Sequence, residues 1–210
     1  MSKKRESVEK SFYGKFEMGI MLKINKTKHK IFLPLIKVLN KLKINANHIS
    51  ILSGIITIIS FYLAIYYSNP LFFIIGIWVH MVLDGLDGSL ARYQKKDSSR
   101  GTIVDVAVDQ LGITLMCLFV IYFSYANIVN VSAFFVLYLI VIILSLYLMF
   151  KKKRFDIVIR PRIFFYIAVT WDFIIFVRIT EVIVLLANIF MFCSVLIGIY
   201  HLKQLKKNTH

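Results

Sequence analysis

The stretch Asp84-Gly85-Leu86-Asp87-Gly88-Ser89-Leu90-Ala91-Arg92, followed by eight residues to Gly101 and then by Asp105 and Asp109, places four carboxylates and a guanidinium where two very apolar segments meet. An acid inside a membrane is costly and is therefore a functional candidate. Asp84 and Asp87 are three residues apart and Asp105 and Asp109 are four apart, so on helices each pair falls on one face. The polar loop from Tyr93 to Gly101 is short, so the helices on either side of it run antiparallel. The four acids then converge into one oxygen-rich cluster. Like-charge repulsion forbids such a cluster unless cations neutralise it.

Outward from this hairpin the chain is 59% hydrophobic, with a formal net charge of +15 and a mean hydropathy of +0.74. So basic a chain points to nucleic acid or to an anionic membrane. The long apolar runs decide for the membrane and against nucleic acid. The first thirty residues are basic and lack the apolar core of a signal peptide. Cys117 and Cys193 both lie within apolar runs, which argues against a disulfide framework and a thiolate metal site.

Taking about twenty residues as the requirement for a span, the expected fold is an all-α membrane protein with six transmembrane helices. They fall near Ile49–Ser68, Leu71–Tyr93, Thr102–Tyr125, Val131–Phe150, Pro161–Val177 and Val182–Leu202. Twelve basic residues precede Asn47, four flank the 93–101 loop, six flank the 151–162 loop and three end the chain. Arg178 alone falls on the opposite side. By the positive-inside rule both termini and the acids face the cytoplasm, in a multi-pass protein of the cell membrane.

Ahead of the first span, Pro34–Lys43 carries Leu35, Val38, Leu39 and Leu42 at helical spacing, with Lys37 and Lys41 opposite. This reads as an amphipathic helix on the cytoplasmic leaflet, with Pro34 in its first turn. The alternative is a soluble helix packed on the protein. The domain organisation expected is a basic N-terminal segment with this juxtamembrane helix over residues 1–47, and a six-helix catalytic domain over residues 48–210.

The acid cluster offers hard oxygen ligands without cysteine or a histidine pair, which favours Mg²⁺, Mn²⁺ or Ca²⁺ over zinc. Four carboxylates can bridge and share two such ions. Gly85, Gly88 and Ala91 keep side chains off the helix and let a ligand approach the backbone. Arg92, one turn beyond Gly88, supplies a donor fork suited to phosphate. Acids, divalent metal, glycine and arginine together describe a diphosphate site fit for phosphoryl transfer.

At every fixed position, Asp84-x-x-Asp87-Gly88-x-x-Ala91-Arg92, eight residues, Gly101-x-x-x-Asp105-x-x-x-Asp109 resembles the motif of the CDP-alcohol phosphotransferase family. The six-span layout is similar too, so the resemblance covers nearly all of the chain. It implies that a CDP-linked lipid is held with its diphosphate on two ions, Mg²⁺ or Mn²⁺. The hydroxyl of a small polar alcohol attacks the phosphorus distal to cytidine, and CMP leaves. Carried over, Asp84, Asp87 and Asp105 are metal ligands, and Asp109 is both ligand and general base. Gly88 and Arg92 contact the CDP portion, with Ser98 at a further nucleotide-contacting position. Asn45-Ala46-Asn47-His48-Ile49-Ser50 resembles the family's Pro-Asn-x-x-Thr lead-in to the first span, with Ala46 for the Pro and Ser50 for the Thr. This adds Asn47 and Ser50 to the CDP contacts. Family members are commonly homodimers.

Other polar groups have blander readings. His80, one turn before Asp84, is expected to hydrogen-bond behind the ligands. Asp172 lies between a polar contact near the acceptor and a helix–helix hydrogen bond. Arg178 and Glu181 read as a surface pair. Arg160 and Arg162 open the fifth span and could bind a phosphorylated acceptor or anchor lipid headgroups.

Two further functions are open on the same residues. One is a CDP-amino-alcohol donating its phospho-group to diacylglycerol, since the motif reads only the shared CDP-diphosphate. The other is a divalent-cation transporter, which would need polar groups continuing toward the outer face, where Leu71–Val79 and Ile113–Tyr122 are apolar. Phosphatidylglycerophosphate synthases of the family carry Pro after the third acid and Ala-Asp-Lys at the fourth. Asp105-Val106-Ala107-Val108-Asp109-Gln110 has neither. Gln110-Leu111-Gly112 also lacks the Phe-Gly usual in the serine-transferring enzymes. An inositol phosphate or an unusual acceptor is what this elimination leaves.

Overall fold

The apolar runs fold as helices in the computed structural model, which describes residues 31–94, 99–150, 162–175 and 178–207, with all their side chains except those of 99–103, 105, 149–150, 162 and 204–207. There is no strand among these residues. In chain order the helices are α1 (residues 31–41), α2 (Ala46–Tyr66), α3 (Leu71–Gln94), α4 (Ser99–Tyr122), α5 (Ile128–Phe150), α6 (Arg162–Ile175) and α7 (Ile179–Lys207). The chain divides into two compact units between Phe123 and Ser124.

Four of the helices are long and apolar enough to cross a membrane: α2, α3, Ile128–Leu148 of α5 and Ile179–Lys203 of α7. The other two expected spans are shorter as apolar helices, at Val106–Tyr122 and Ile163–Ile175. For α4 a reason is visible in the sequence: its first turns carry Arg100 and Asp105. The described part of α6 is 14 residues, with residues outside the described set on either side of it.

In the first unit, α1 presents Phe32, Ile36 and Leu39 to Ile44, Ile49, Leu83, Leu86 and Leu90. Its other apolar stripe, Ile31, Leu35, Val38 and Leu42, is exposed, as are Lys37 and Lys41. The helix therefore packs on the protein along one face while keeping a second apolar stripe outward. Lys43, in the left-handed region at φ 56°, ends this turn and directs the chain into α2. At the far end of α2, Ser68 is also left-handed at φ 48°, and the Asn69 side chain accepts a hydrogen bond from the Leu71 amide at 3.0 Å. Asn69-Pro70 thus starts α3 as an Asx turn followed by a proline whose missing N–H costs nothing there.

The two helices of this hairpin approach closely because their contact faces are small. A Cβ on Gly76 would lie 1.9 Å from Ser60 Oγ, so only glycine fits at that crossing. Ser53, Thr57 and Ser60 share the buried face of α2, and each donates to a carbonyl of its own helix at 2.7–2.9 Å. A Cβ on Gly54 would sit 3.4 Å from Val108, so the same helix also meets α4. Phe61, Phe73 and Phe119 continue this contact as an aromatic cluster joining α2, α3 and α4.

In the second unit, α7 packs against both α5 and α6, and Phe134 meets Phe165 edge-on at 5.2 Å. Polar bonds gather at one end of it. Asp172 accepts hydrogen bonds from the amides of Ile179 (2.7 Å) and Thr180 (2.9 Å), so it caps the start of α7. Glu181, expected to pair with Arg178, accepts from the Asn127 amide and the Asn130 side chain. Asn188 donates to the Asn130 carbonyl at 2.9 Å.

Candidate active site

Asp84, Asp87, Gly88 and Arg92 occupy the last three turns of α3, and Asp109 lies on α4 in the same unit. Asp87 is buried, with 5% of its surface exposed, and Asp84 is half-buried. Asp87 Oδ2 accepts a hydrogen bond from Ser50 Oγ on α2 at 2.5 Å. The side chain of Asp109 is 16% exposed, and its Oδ1 stands 3.9 Å from Nε2 of the buried His80. His80, expected to hydrogen-bond behind the ligands, thus stands near one of the expected ligands, on α4. Asp105 lies on α4 one turn before Asp109.

Arg92 is placed by its own helix. A Cβ on Gly88 would lie 3.9 Å from both Nη1 and Nη2, so the guanidinium passes directly over the bare backbone there. Arg92 Nη2 donates to Ser89 Oγ at 3.2 Å, and Ser89 in turn donates to the Gly85 carbonyl at 2.8 Å. With its proton committed to Gly85, the fully buried Ser89 can only accept from Arg92. Sequence reasoning missed Ser89, because it occupies a variable place in the motif and its partner is set by a rotamer. One turn on, Gln94 donates to the Ile44 carbonyl at 2.8 Å and to Asn40 Oδ1 at 3.3 Å. This ties the end of α3 to the α1–α2 corner.

Of the remaining candidates, Asn47 is exposed in the first turn of α2 and Ser50 is buried one turn later. Arg162 opens α6, and its side chain, like that of Asp105, lies outside the described set. Ser98 and Arg160 lie outside the described residues altogether. Among the described residues no three His, Cys, Asp or Glu side chains form a group that could hold a metal. The donor chemistry nevertheless fits a hard divalent cation: Asp84, Asp87 and Asp109 offer only carboxylate oxygen, two of them largely withdrawn from solvent. The free thiols, buried Cys117 and exposed Cys193, add no soft ligand.

A family model described as CDP-alcohol phosphatidyltransferase matches residues 43–200, most of the chain and all of the candidate site. No curated protein and no solved structure matches it.

Proposed function

Since the chain belongs to the CDP-alcohol phosphatidyltransferase family, we propose that it moves a phosphatidyl group, or an ether-lipid equivalent, from a CDP-linked lipid to the hydroxyl of a small polar alcohol. The observation that carries this reading is the arrangement on α3, where the Arg92 guanidinium lies over Gly88 within two turns of a buried carboxylate. An anionic diphosphate would meet a fixed donor fork on one side and acids suited to cations on the other. Asp84, Asp87, Asp105 and Asp109 would hold Mg²⁺ or Mn²⁺, with two ions suited to four carboxylates. Such ions, when bound, neutralise the charge that develops on the diphosphate oxygens.

The chain's own residues do the rest. Gly88 and Arg92, with Asn47 and Ser98, bind and orient the CDP portion. The acceptor oxygen forms its bond to the phosphorus that carries the lipid. The bond from that phosphorus to the bridging oxygen breaks, and CMP leaves with the electron pair. Asp109 takes the acceptor's proton as general base. Arg160 and Arg162 bind a phosphorylated acceptor. The exposed stripe on α1 lies in the cytoplasmic leaflet with Lys37 and Lys41 toward anionic headgroups, which puts the acids on the cytoplasmic side. The organisation proposed is a basic segment over residues 1–47 and a catalytic domain over residues 48–210, working as a homodimer.

The test is CMP release. Purified protein is incubated with labelled CDP-diacylglycerol, Mg²⁺ or Mn²⁺ and a panel of alcohols that includes inositol phosphate and glycerol phosphate. CMP formation that depends on one alcohol is expected and would name the acceptor. Transfer only from a CDP-amino-alcohol to diacylglycerol would reverse the donor and acceptor roles. No CMP from either pairing would sink the reading.

A further inference from the structure

We propose that Ser50 is a positioning residue that fixes the carboxylate of Asp87 for cation binding and does not contact the nucleotide. The proposal rests on the reading of Asp87 as a metal ligand. A serine hydroxyl has one proton. Two acceptors are in reach: Asp87 Oδ2 at 2.5 Å, and the Ala46 carbonyl one turn back on α2 at 3.3 Å. A bond to an ionised carboxylate is the stronger and shorter of the two. The proton therefore goes to Asp87. Ser53, Thr57 and Ser60, on the same face, donate to carbonyls of α2 itself. Ser50 is the member of this row that reaches a side chain of another helix.

The contact is enforced from a distance. Gly76 lets α3 meet α2 at Ser60, where a Cβ would have no room. From that crossing, Ser50 lies ten residues along α2 and Asp87 eleven along α3 in the antiparallel direction. At about 1.5 Å per residue these are ~15 and ~16.5 Å, so a single register serves both contacts. Both partners are buried, Ser50 at 5% exposure and Asp87 at 5%. The plane of an aspartate carboxylate is otherwise loosely defined, because its last torsion is broad. A hydroxyl held on the neighbouring helix fixes it. Partners behind metal ligands characteristically change affinity by about 10–100-fold when removed.

The experiment measures Mn²⁺ affinity of the purified full-length protein from the paramagnetic resonance of free Mn²⁺, beside its melting temperature. Wild type, Ser50→Ala, Ser50→Cys, Ser50→Thr and Asp87→Asn are compared. Ser50→Ala is expected to raise the Mn²⁺ Kd about tenfold or more. Ser50→Cys keeps the volume with a weak donor and should fall between. Ser50→Thr restores the hydroxyl and the affinity. A purely packing role would lower the melting temperature of Ser50→Ala and leave its Kd unchanged. If Asp87→Asn weakens Mn²⁺ binding while both Ser50→Ala and Ser50→Cys stay within twofold of wild type, the positioning role is wrong and the acid site stands. If Asp87→Asn itself binds Mn²⁺ as wild type does, the acid site falls and the role of Ser50 with it.

Discussion

Asp87 and Asp172 are both buried acids in apolar helices, one in each unit, with 5% and 3% of their surfaces exposed. What surrounds them differs. Asp172 receives two backbone amides from residues seven and eight positions later, so its two oxygens are spent on closing the turn into α7. Asp87 receives a hydroxyl from another helix and stands among Asp84, Gly88 and Arg92 on its own. Burial of a carboxylate is therefore not itself a sign of function. An acid whose hydrogen bonds go to orphan amides at a helix start is part of the fold. Asp87 is instead held by a side chain of another helix and is followed by the bare backbone of Gly88, and the ligand role proposed for it starts from that setting.

The comparison breaks most visibly in turnover. Asp84→Asn, Asp87→Asn and Asp105→Asn should each lower kcat by about a thousandfold or more, since a lost cation removes several kcal/mol of charge stabilisation. The same Asp→Asn change at Asp172 should leave kcat per folded molecule within about threefold. EDTA should abolish activity, and Mg²⁺ or Mn²⁺ should restore it. The check is CMP release normalised to folded protein. A thousandfold loss from Asp172→Asn would erase the distinction.

Asp109 sharpens the comparison, because it is proposed as both ligand and base. Asp109→Asn keeps an oxygen ligand and removes basicity. It should lose about 10²–10⁴-fold in turnover, the usual worth of a positioned base, while retaining most binding of Mn²⁺ and CDP-lipid. Calorimetric binding beside steady-state rates decides it. Metal binding abolished as completely as in Asp84→Asn would make Asp109 a ligand without a base's role.

Much of this was legible in the sequence, and the parts that were not have physical reasons. Apolar runs locate helices because the membrane forces every backbone group to pair internally. The acids, Gly88 and Arg92 announce themselves because polar groups and glycines are costly in such helices. The role of Asp172 is less legible, since it caps the helix that follows its own. That role depends on where the chain returns, and the period of the sequence does not encode it. Ser60 and Gly76 look like ordinary small residues until their helices are paired. Ser89 and Ser50 likewise gain their roles from a rotamer and a neighbour. The apolar pattern of α1 was plain, but the division of its surface into Ile36 packed on the protein and Leu35 exposed follows from tertiary contact.

The acceptor role proposed for Arg160 and Arg162 sets a second contrast, between binding the acceptor and anchoring lipid. If they bind a phosphorylated acceptor, Arg→Ala at either should raise the acceptor KM by about 10–150-fold, equivalent to roughly 1.5–3 kcal/mol for a charged hydrogen bond. The KM for CDP-lipid should stay within about twofold. Equal losses for both substrates, or none for either, would assign the pair to lipid headgroups.

The smallest expected effect returns to Asp172 and is read in stability. Asn at this position offers one carbonyl oxygen to the amides of Ile179 and Thr180. Its NH₂ would face the second amide donor to donor. One buried N–H then loses its partner, at about 1–3 kcal/mol. Asp172→Ala strands both amides and should cost more than Asp172→Asn. Neither variant should alter Mn²⁺ affinity, because the bonds lost are those that close the α6–α7 turn. Unfolding monitored by helical circular dichroism in detergent, across a denaturant series, gives the ranking wild type, Asn, Ala. Equal stability for all three would mean that the two amides are satisfied without Asp172. Asp172 would then be a buried acid whose local bonds do not explain its presence, and the rule drawn from its contrast with Asp87 would fail on one side.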